Sequence, residues 1–124
     1  MPGITTVAGP LDVGHGVRKY TINWRSDAAG AVSGNKFAVI RGYLLQIKFT
    51  PGTVDVPTTL YDATFVDTDS LDYISANGSD LSATASKLIM FDPPIYHDGE
   101  QEFDLVIASA GDKKTGTVRL YVRV

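Results

Sequence analysis

The residues with the clearest chemical potential form an acidic stretch at positions 61–78, "YDATFVDTDSLDYISANG". It contains Asp67, Asp69 and Asp72, and carboxylate oxygens are the ligands that calcium prefers. Asp67 and Asp69 match the first two positions of a D-x-D-x-D-G calcium loop, but Leu71 stands at the third. The glycine at the sixth position and the glutamate at the twelfth are also missing. Two hypotheses therefore stand for these aspartates: a metal site, or a polar turn in which they close a strand and cap the chain.

No complete catalytic set accompanies these acids. The absence of cysteine excludes disulfides, thiolate nucleophiles and cysteine-ligated zinc. His15 and His97 lack the nucleophile and the orienting acid of a serine hydrolase. The glycine-rich segments fit neither the P-loop nor the dinucleotide-binding fingerprint. We therefore predict a chain without enzymatic activity and without a bound cofactor.

Size and charge restrict the partners that can be expected. A chain of 124 residues with 44% hydrophobic content and a net charge of −3 is typical of one domain with a single core. Lysine and arginine are scattered along the sequence, which argues against a nucleic-acid partner. No window is apolar for long enough to span a membrane, and no secretory signal is evident. We expect a protein made in a cytoplasm, with neither nucleic acid nor membrane as partner.

Hydrophobic alternation determines the predicted fold. Residues 1–16 contain several glycines and prolines without an apolar period, which predicts an extended N-terminal arm. From residue 17 onward, period-two alternation indicates six or seven short strands. The prediction is an all-β protein, with a single-domain β-sandwich or jelly roll over residues 17–124.

Individual strands carry more specific expectations. Four residues of "FAVIRGYLLQIKFT" are expected on one face: Tyr43, Leu45, Ile47 and Phe49. The dipeptide at Asp98 and Gly99 predicts a hairpin between the strands on either side of it. The loop "AGDKKTG" is expected to fold the last strand, "GTVRLYVRV", back on the strand before it.

Four residues are candidates for contacts with another chain. Trp24 shares a face with Tyr20 and Ile22, so its ring belongs either to the core or to a contact surface on a neighbouring subunit. Tyr121 lies between Arg119 and Arg123 on the polar face of the last strand. Tyrosine and arginine are enriched in interfaces, although the trio could equally be solvated. The arm is of a kind that strand addition or exchange between subunits uses, which favours a homo-oligomer.

Several motifs resemble a known class of proteins. They are "W-x-S-D-A-x-G" at 24–30, "R-G-Y-L-L" with the following "P-G-T-V-D-V-P-T-x-L-Y-D-A-T-F-V-D-T-D-S-L-D", and "A-G-D-K-K-T-G-T-V-R-L-Y-V" at 110–122. Over residues 17–124 the chain resembles small structural proteins encoded in the virion-gene blocks of tailed bacteriophages and prophages. Members of that family often have glycine where Ser70 stands, in the pattern D-x-D-G-x-D, and the serine of this chain argues further against a tight metal loop.

The resemblance implies a virion component without catalytic residues. Within that class the expectation is a capsid decoration or cement protein, which binds the major capsid protein on the outside of the shell as a homo-oligomer such as a trimer. A head–tail connector, tail or base-plate protein is the alternative. A lesser alternative, motivated by the aspartates and by aromatics such as Tyr61 and Tyr96, is a carbohydrate- or calcium-binding module.

Overall fold

The computed structural model describes residues 3–39, 41–100 and 102–124, with only the backbone of Ala76. Of the chain, 58% is strand and 3% helix. The described residues form eight strands, β1 (Ile4–Gly14), β2 (Val17–Arg25), β3 (Lys36–Ala38), β4 (Gly42–Pro51), β5 (Asp62–Val66), β6 (Lys87–His97), β7 (Glu102–Ala108) and β8 (Thr115–Arg123), and a short 3₁₀ helix, Ser75–Gly78.

The strands form two antiparallel sheets. The larger has the order β1-β2-β8-β4-β6 and the smaller has the order β3-β7-β5. From β2 to β8 the chain changes sheet at every connection, so strands that are adjacent in sequence do not pair. The all-β prediction is confirmed, while the jelly-roll description is not confirmed.

One hydrophobic core joins the inward faces of both sheets. The predicted alternation is confirmed in β2, where Tyr20, Ile22 and Trp24 are buried, and in β5, where Phe65 is buried. In β8 the buried residues are Val118, Leu120 and Val122, and their neighbours in sequence remain partly or fully exposed. The intervening side chains of β8 therefore point away from the core, to the outside of the larger sheet.

A bulge changes the predicted faces of β4. Leu44 pairs with Val122 and Gln46 pairs with Tyr121, which leaves Leu45 as an extra residue. Because one inserted residue reverses the alternation, the buried positions are Leu44, Ile47 and Phe49. The prediction for Tyr43 and Leu45 was therefore wrong, and Tyr43 is 44% exposed on the outer side.

Two predicted chain reversals were also wrong. Asp98 and Gly99 lie in the connection from β6 to β7, which belong to different sheets and do not pair. The loop after β7 likewise leads to a strand of the other sheet, where β8 pairs with β2 and β4. Turn residues favour a reversal of the chain, but they do not determine which sheet receives the next strand.

The N-terminal segment forms a β-hairpin with β2. Residues 4–14 pair with β2, and His15 and Gly16 both have positive φ, 54° and 74°, as a two-residue hairpin turn requires. The expectation of an extended arm over residues 1–16 is therefore not confirmed, and its first two residues lie outside the described residues. β1 is largely exposed, and Val7 is its partly buried contact with the core.

Candidate docking face

Asp67 holds the acidic turn together. Its Oδ1 accepts the backbone N–H groups of Asp69 at 2.9 Å and Leu71 at 3.1 Å. Its Oδ2 accepts the hydroxyl of Tyr73 at 3.1 Å. Both carboxylate oxygens of this nearly buried side chain are thus occupied by the protein itself.

Asp72 performs a similar role one turn later. Its Oδ1 accepts the N–H groups of Phe65 and Ile74, each at 3.1 Å. Within the described ranges no group of three or more histidine, cysteine or acidic side chains is arranged to hold a metal ion. Of the candidate metal ligands, the structure gives Asp67 and Asp72 a role in closing the strand and capping the turn, whereas Asp69 contributes its backbone amide.

The turn also shifts the acidity of a tyrosine. Burial raises the pKa of Tyr73 to about 12, and the hydrogen bond to Asp67 and the negative charges of Asp67, Asp98 and Asp69 act in the same direction. Burial alone raises the pKa of Tyr61 to about 12. Both phenols therefore stay neutral at ordinary pH and serve the structure.

The outside of the larger sheet carries a concentration of positive charge. We call the outward side chains of β2, β8, β4 and β6 the docking face. Its cations are Lys19, Arg25, Lys48, Arg119 and Arg123. No aspartate or glutamate occupies an outward paired position of the described β2, β4 or β8. The face is therefore positive along β2, β4 and β8, on a chain whose net charge is −3, while β6 adds the exposed Asp92.

Two of these cations occupy opposed positions at the centre of the docking face. Lys48 and Arg119 are direct cross-strand partners, and the neighbour of Arg119 on its other side is Thr21. The described residues contain one ion pair, Arg18 with Asp12 at 3.2 Å, which lies at the β1–β2 hairpin. The central cations therefore have no carboxylate partner within the described part of the chain.

An aromatic group adjoins the cations. The guanidinium of Arg123 lies 5.8 Å from the ring centroid of Tyr43, a cation–π distance. The ring of Tyr43 in turn meets that of Tyr96 edge to face at 5.2 Å. Tyr43 and Tyr96 are 44% and 52% exposed, so this group is accessible from outside.

The β6 side of the docking face is apolar. Leu88 and Met90 are 50% and 59% exposed, and they pair with Lys48 and Gln46 of β4. Large exposed apolar side chains beside cations and aromatic rings are the composition expected of a contact surface.

Three of the predicted interface residues lie on the docking face, and one does not. Arg119, Tyr121 and Arg123 all point outward from β8, as the alternation indicated. Trp24 is 2% exposed, with its ring centroid 5.7 Å from that of Tyr61 and its indole above Gly116. Its assignment to an interface is corrected, because its ring is enclosed by the chain's own core.

Sequence reasoning missed much of the docking face. Alternation in the sequence places Lys19 and Lys48 only on the polar faces of two separate strands, and it predicted the wrong side for Tyr43. Their proximity depends on β8 lying between β2 and β4, which no local pattern indicates. The available signal was the lack of outward acids in these segments.

A small polar pocket lies beside the docking face, at the end of β6. It has a volume of about 170 Å³ and is lined by Tyr73, Tyr96, His97 and Asp98. His97 is buried beside Phe103, with ring centroids 4.8 Å apart, and its Nε2 has no hydrogen-bond partner in the described structure. The pocket joins an exposed aromatic ring to polar groups.

Comparisons with known proteins identify no relative of the chain. No protein-family model, curated protein or solved structure matches the sequence. Among the described residues, no helix is long and apolar enough to cross a membrane.

Proposed function

We propose that the chain is a non-enzymatic structural protein of a tailed-bacteriophage virion, a decoration or cement protein that binds the outside of the capsid shell. The observation that carries the proposal is the docking face, with its unpaired cations next to exposed aromatic and apolar side chains. The resemblance of residues 17–124 to virion structural proteins supports the same assignment. In this proposal the two sheets form a jelly roll, a description supported by the alternation of β2 to β8 between them.

The proposal assigns adjoining surfaces to the shell and to other copies of the chain, because Ile4 and Leu11 of β1 pair with Arg25 and Lys19 and so lie beside the docking face. The docking face meets the major capsid protein. Copies associate through β1, an edge strand whose Ile4, Leu11 and Val13 are 46%, 56% and 45% exposed. Many weak attachments then reinforce one another, because a second contact within one oligomer forms at high effective concentration. A trimer at the three-fold positions of a shell satisfies this arrangement.

The hydrogen bonds that the Asp67 and Asp72 carboxylates already accept support a role without catalysis or calcium binding. Asp67 and Asp72 are engaged by backbone N–H groups, so a metal or a reacting substrate would have to displace structural hydrogen bonds. The proposal accordingly includes neither a cofactor nor a catalytic residue.

Quantifying the protein in purified virions tests the assignment. We expect a copy number comparable to that of the major capsid protein, with density for this subunit on the outer shell in cryo-electron microscopy images. A few copies per particle located at the tail would instead favour the connector, tail or base-plate role. Absence from the particle would refute the proposal.

A further inference from the structure

The docking face contains a repulsion between like charges that no acidic side chain at the outward paired positions of β2, β4 and β8 neutralises. Lys48 and Arg119 are directly opposed, and like charges in that arrangement destabilise a sheet. An acidic residue at the neighbouring position Thr21 would neutralise the pair at little structural cost, because that side chain points outward on the adjacent strand. The face is nevertheless without acids at its outward paired positions on β2, β4 and β8.

We infer that the docking face binds a carboxylate-rich protein surface, whose acidic side chains insert between Lys48, Arg119 and Arg123. Arginine guanidinium groups donate two parallel hydrogen bonds to the two oxygens of one carboxylate, and desolvated contacts of this kind are strong. This inference deepens the proposed function and depends on it for the identity of the partner as a shell protein.

The apolar side of the face distinguishes a protein partner from a nucleic acid. Tyr43, Tyr96, Leu88 and Met90 lie along β4 and β6, to one side of the central cations. Interfaces between proteins combine aromatic, methionine and arginine side chains in this way. A nucleic-acid-binding domain is expected to be basic as a whole, whereas this chain has an isoelectric point near 5.1.

Charge reversal on the face provides the first test. The double substitution Lys48→Glu with Arg119→Glu keeps two like charges opposite each other, so the cross-strand repulsion within the fold stays similar. The matched control, Lys36→Glu with Lys113→Glu, changes the net charge equally at exposed positions away from the face. Circular dichroism and thermal unfolding establish that both variants are folded.

The binding probes are poly-L-glutamate, a 20-base-pair DNA duplex, vesicles with anionic lipid, and capsids that lack this protein. At 50 mM salt we expect the chain to bind poly-L-glutamate and capsids, and the face variant to bind both about a hundredfold more weakly. The control variant should remain within about threefold of the unmodified chain. Raising the salt to 300 mM should weaken binding, since exposed charges are then screened.

A second variant tests the apolar contribution. Leu88→Ser with Met90→Ser should reduce capsid binding about tenfold and leave binding to poly-L-glutamate unchanged, because that polymer offers no apolar contact. Equal loss on both probes would contradict the assignment of these side chains to a protein contact.

The outcomes separate this inference from the proposed function. Tight capsid binding that is insensitive to salt and to the charge reversal would overturn the inference while leaving the structural role intact. Binding to poly-L-glutamate, with no attachment to capsids, would support the acidic-surface chemistry but refute the shell role. Preference for DNA or vesicles over poly-L-glutamate would identify another class of partner and overturn the inference.

Discussion

Lys48 of β4 and Arg119 of β8 occupy opposed positions of an antiparallel pair, with both side chains on the outside of the larger sheet. Their neighbours in sequence, Ile47, Phe49, Val118 and Leu120, are buried in the core. The backbone positions of the two cations are therefore fixed by the packing beneath them. A stable core thus maintains a local repulsion on its outer surface, which is the pattern expected when a surface is selected for binding rather than for stability.

Lys48→Glu should stabilise the isolated chain and weaken its docking. The new glutamate would form a cross-strand ion pair with Arg119, which we expect to raise the free energy of unfolding by about 0.2–1 kcal/mol. Urea denaturation measures this gain, and capsid binding measures the loss. Lys113→Glu, at an exposed loop position, is the control. A fall in stability on Lys48→Glu would contradict the repulsion inferred here.

Gly116→Ala should disturb the packing of the single tryptophan. A Cβ at Gly116 would lie 2.5 Å from Cζ2 and 2.7 Å from Nε1 of Trp24, so the ring or the strand must move. We expect a loss of about 1–3 kcal/mol in the free energy of unfolding, as for other overpacked cores. A shift of Trp24 fluorescence reports the displacement, whereas Thr117→Ala, at an outward position, should leave the emission unchanged.

Asp67→Ala should destabilise the acidic turn through the loss of hydrogen bonds, and not through the loss of a bound metal ion. It removes the acceptor of two backbone N–H groups and of the Tyr73 hydroxyl, which predicts a loss of about 1–3 kcal/mol. Asp112→Ala, in an exposed loop, is the control. Millimolar calcium should not change the melting temperature of the unmodified chain, and a rise would revive the calcium-binding alternative.

Stability should fall with rising pH above pH 10. The pKa values of Tyr61 and Tyr73 are about 12 in the folded chain and near 10 when unfolded, so the unfolded state releases protons first. Their contribution is complete below pH 10 and is lost between pH 10 and 12. The slope for Tyr61 should approach about 1.4 kcal/mol per pH unit. Urea midpoints across this range check the trend, and Tyr61→Phe should make it shallower.

Replacing the exposed apolar residues of β1 should reduce self-association. Serine at Ile4, Leu11 and Val13 removes the apolar contact but retains the strand pairing with β2. Light scattering after size-exclusion chromatography should then show a smaller oligomer, and attachment to capsids should weaken through the loss of avidity. Serine at Val54 and Val56, which are exposed elsewhere, is the control. An unchanged oligomer would exclude β1 as the contact between copies.

The sequence predicted the composition of the fold better than its connectivity. Alternation identified the buried residues of β2, β5 and β8, because a half-buried strand requires an apolar residue at every second position. The same logic failed in β4, where one inserted residue at Leu45 shifted the faces. It also missed β1, because glycine and proline interrupt its apolar pattern although the backbone still pairs with β2.

The candidate site could be predicted only in part for a related reason. Arg119, Tyr121 and Arg123 were found because they belong to one strand. Lys48 and Tyr43 join them through pairing between distant segments, and the burial of Trp24 depends on the close approach of Gly116 on the neighbouring strand. Such contacts depend on tertiary arrangement, which local periodicity does not encode.

Because β8 lies between β2 and β4, the docking face is complete only when the whole of the larger sheet has folded. Thr21, Arg119 and Lys48 become neighbours only after segments far apart in the sequence have paired, and sheets with such non-local pairing form slowly. A misfolded or partly assembled chain therefore presents no matching pattern of cations. A particle that recruits its subunits through this pattern would incorporate mature molecules and leave immature ones in solution.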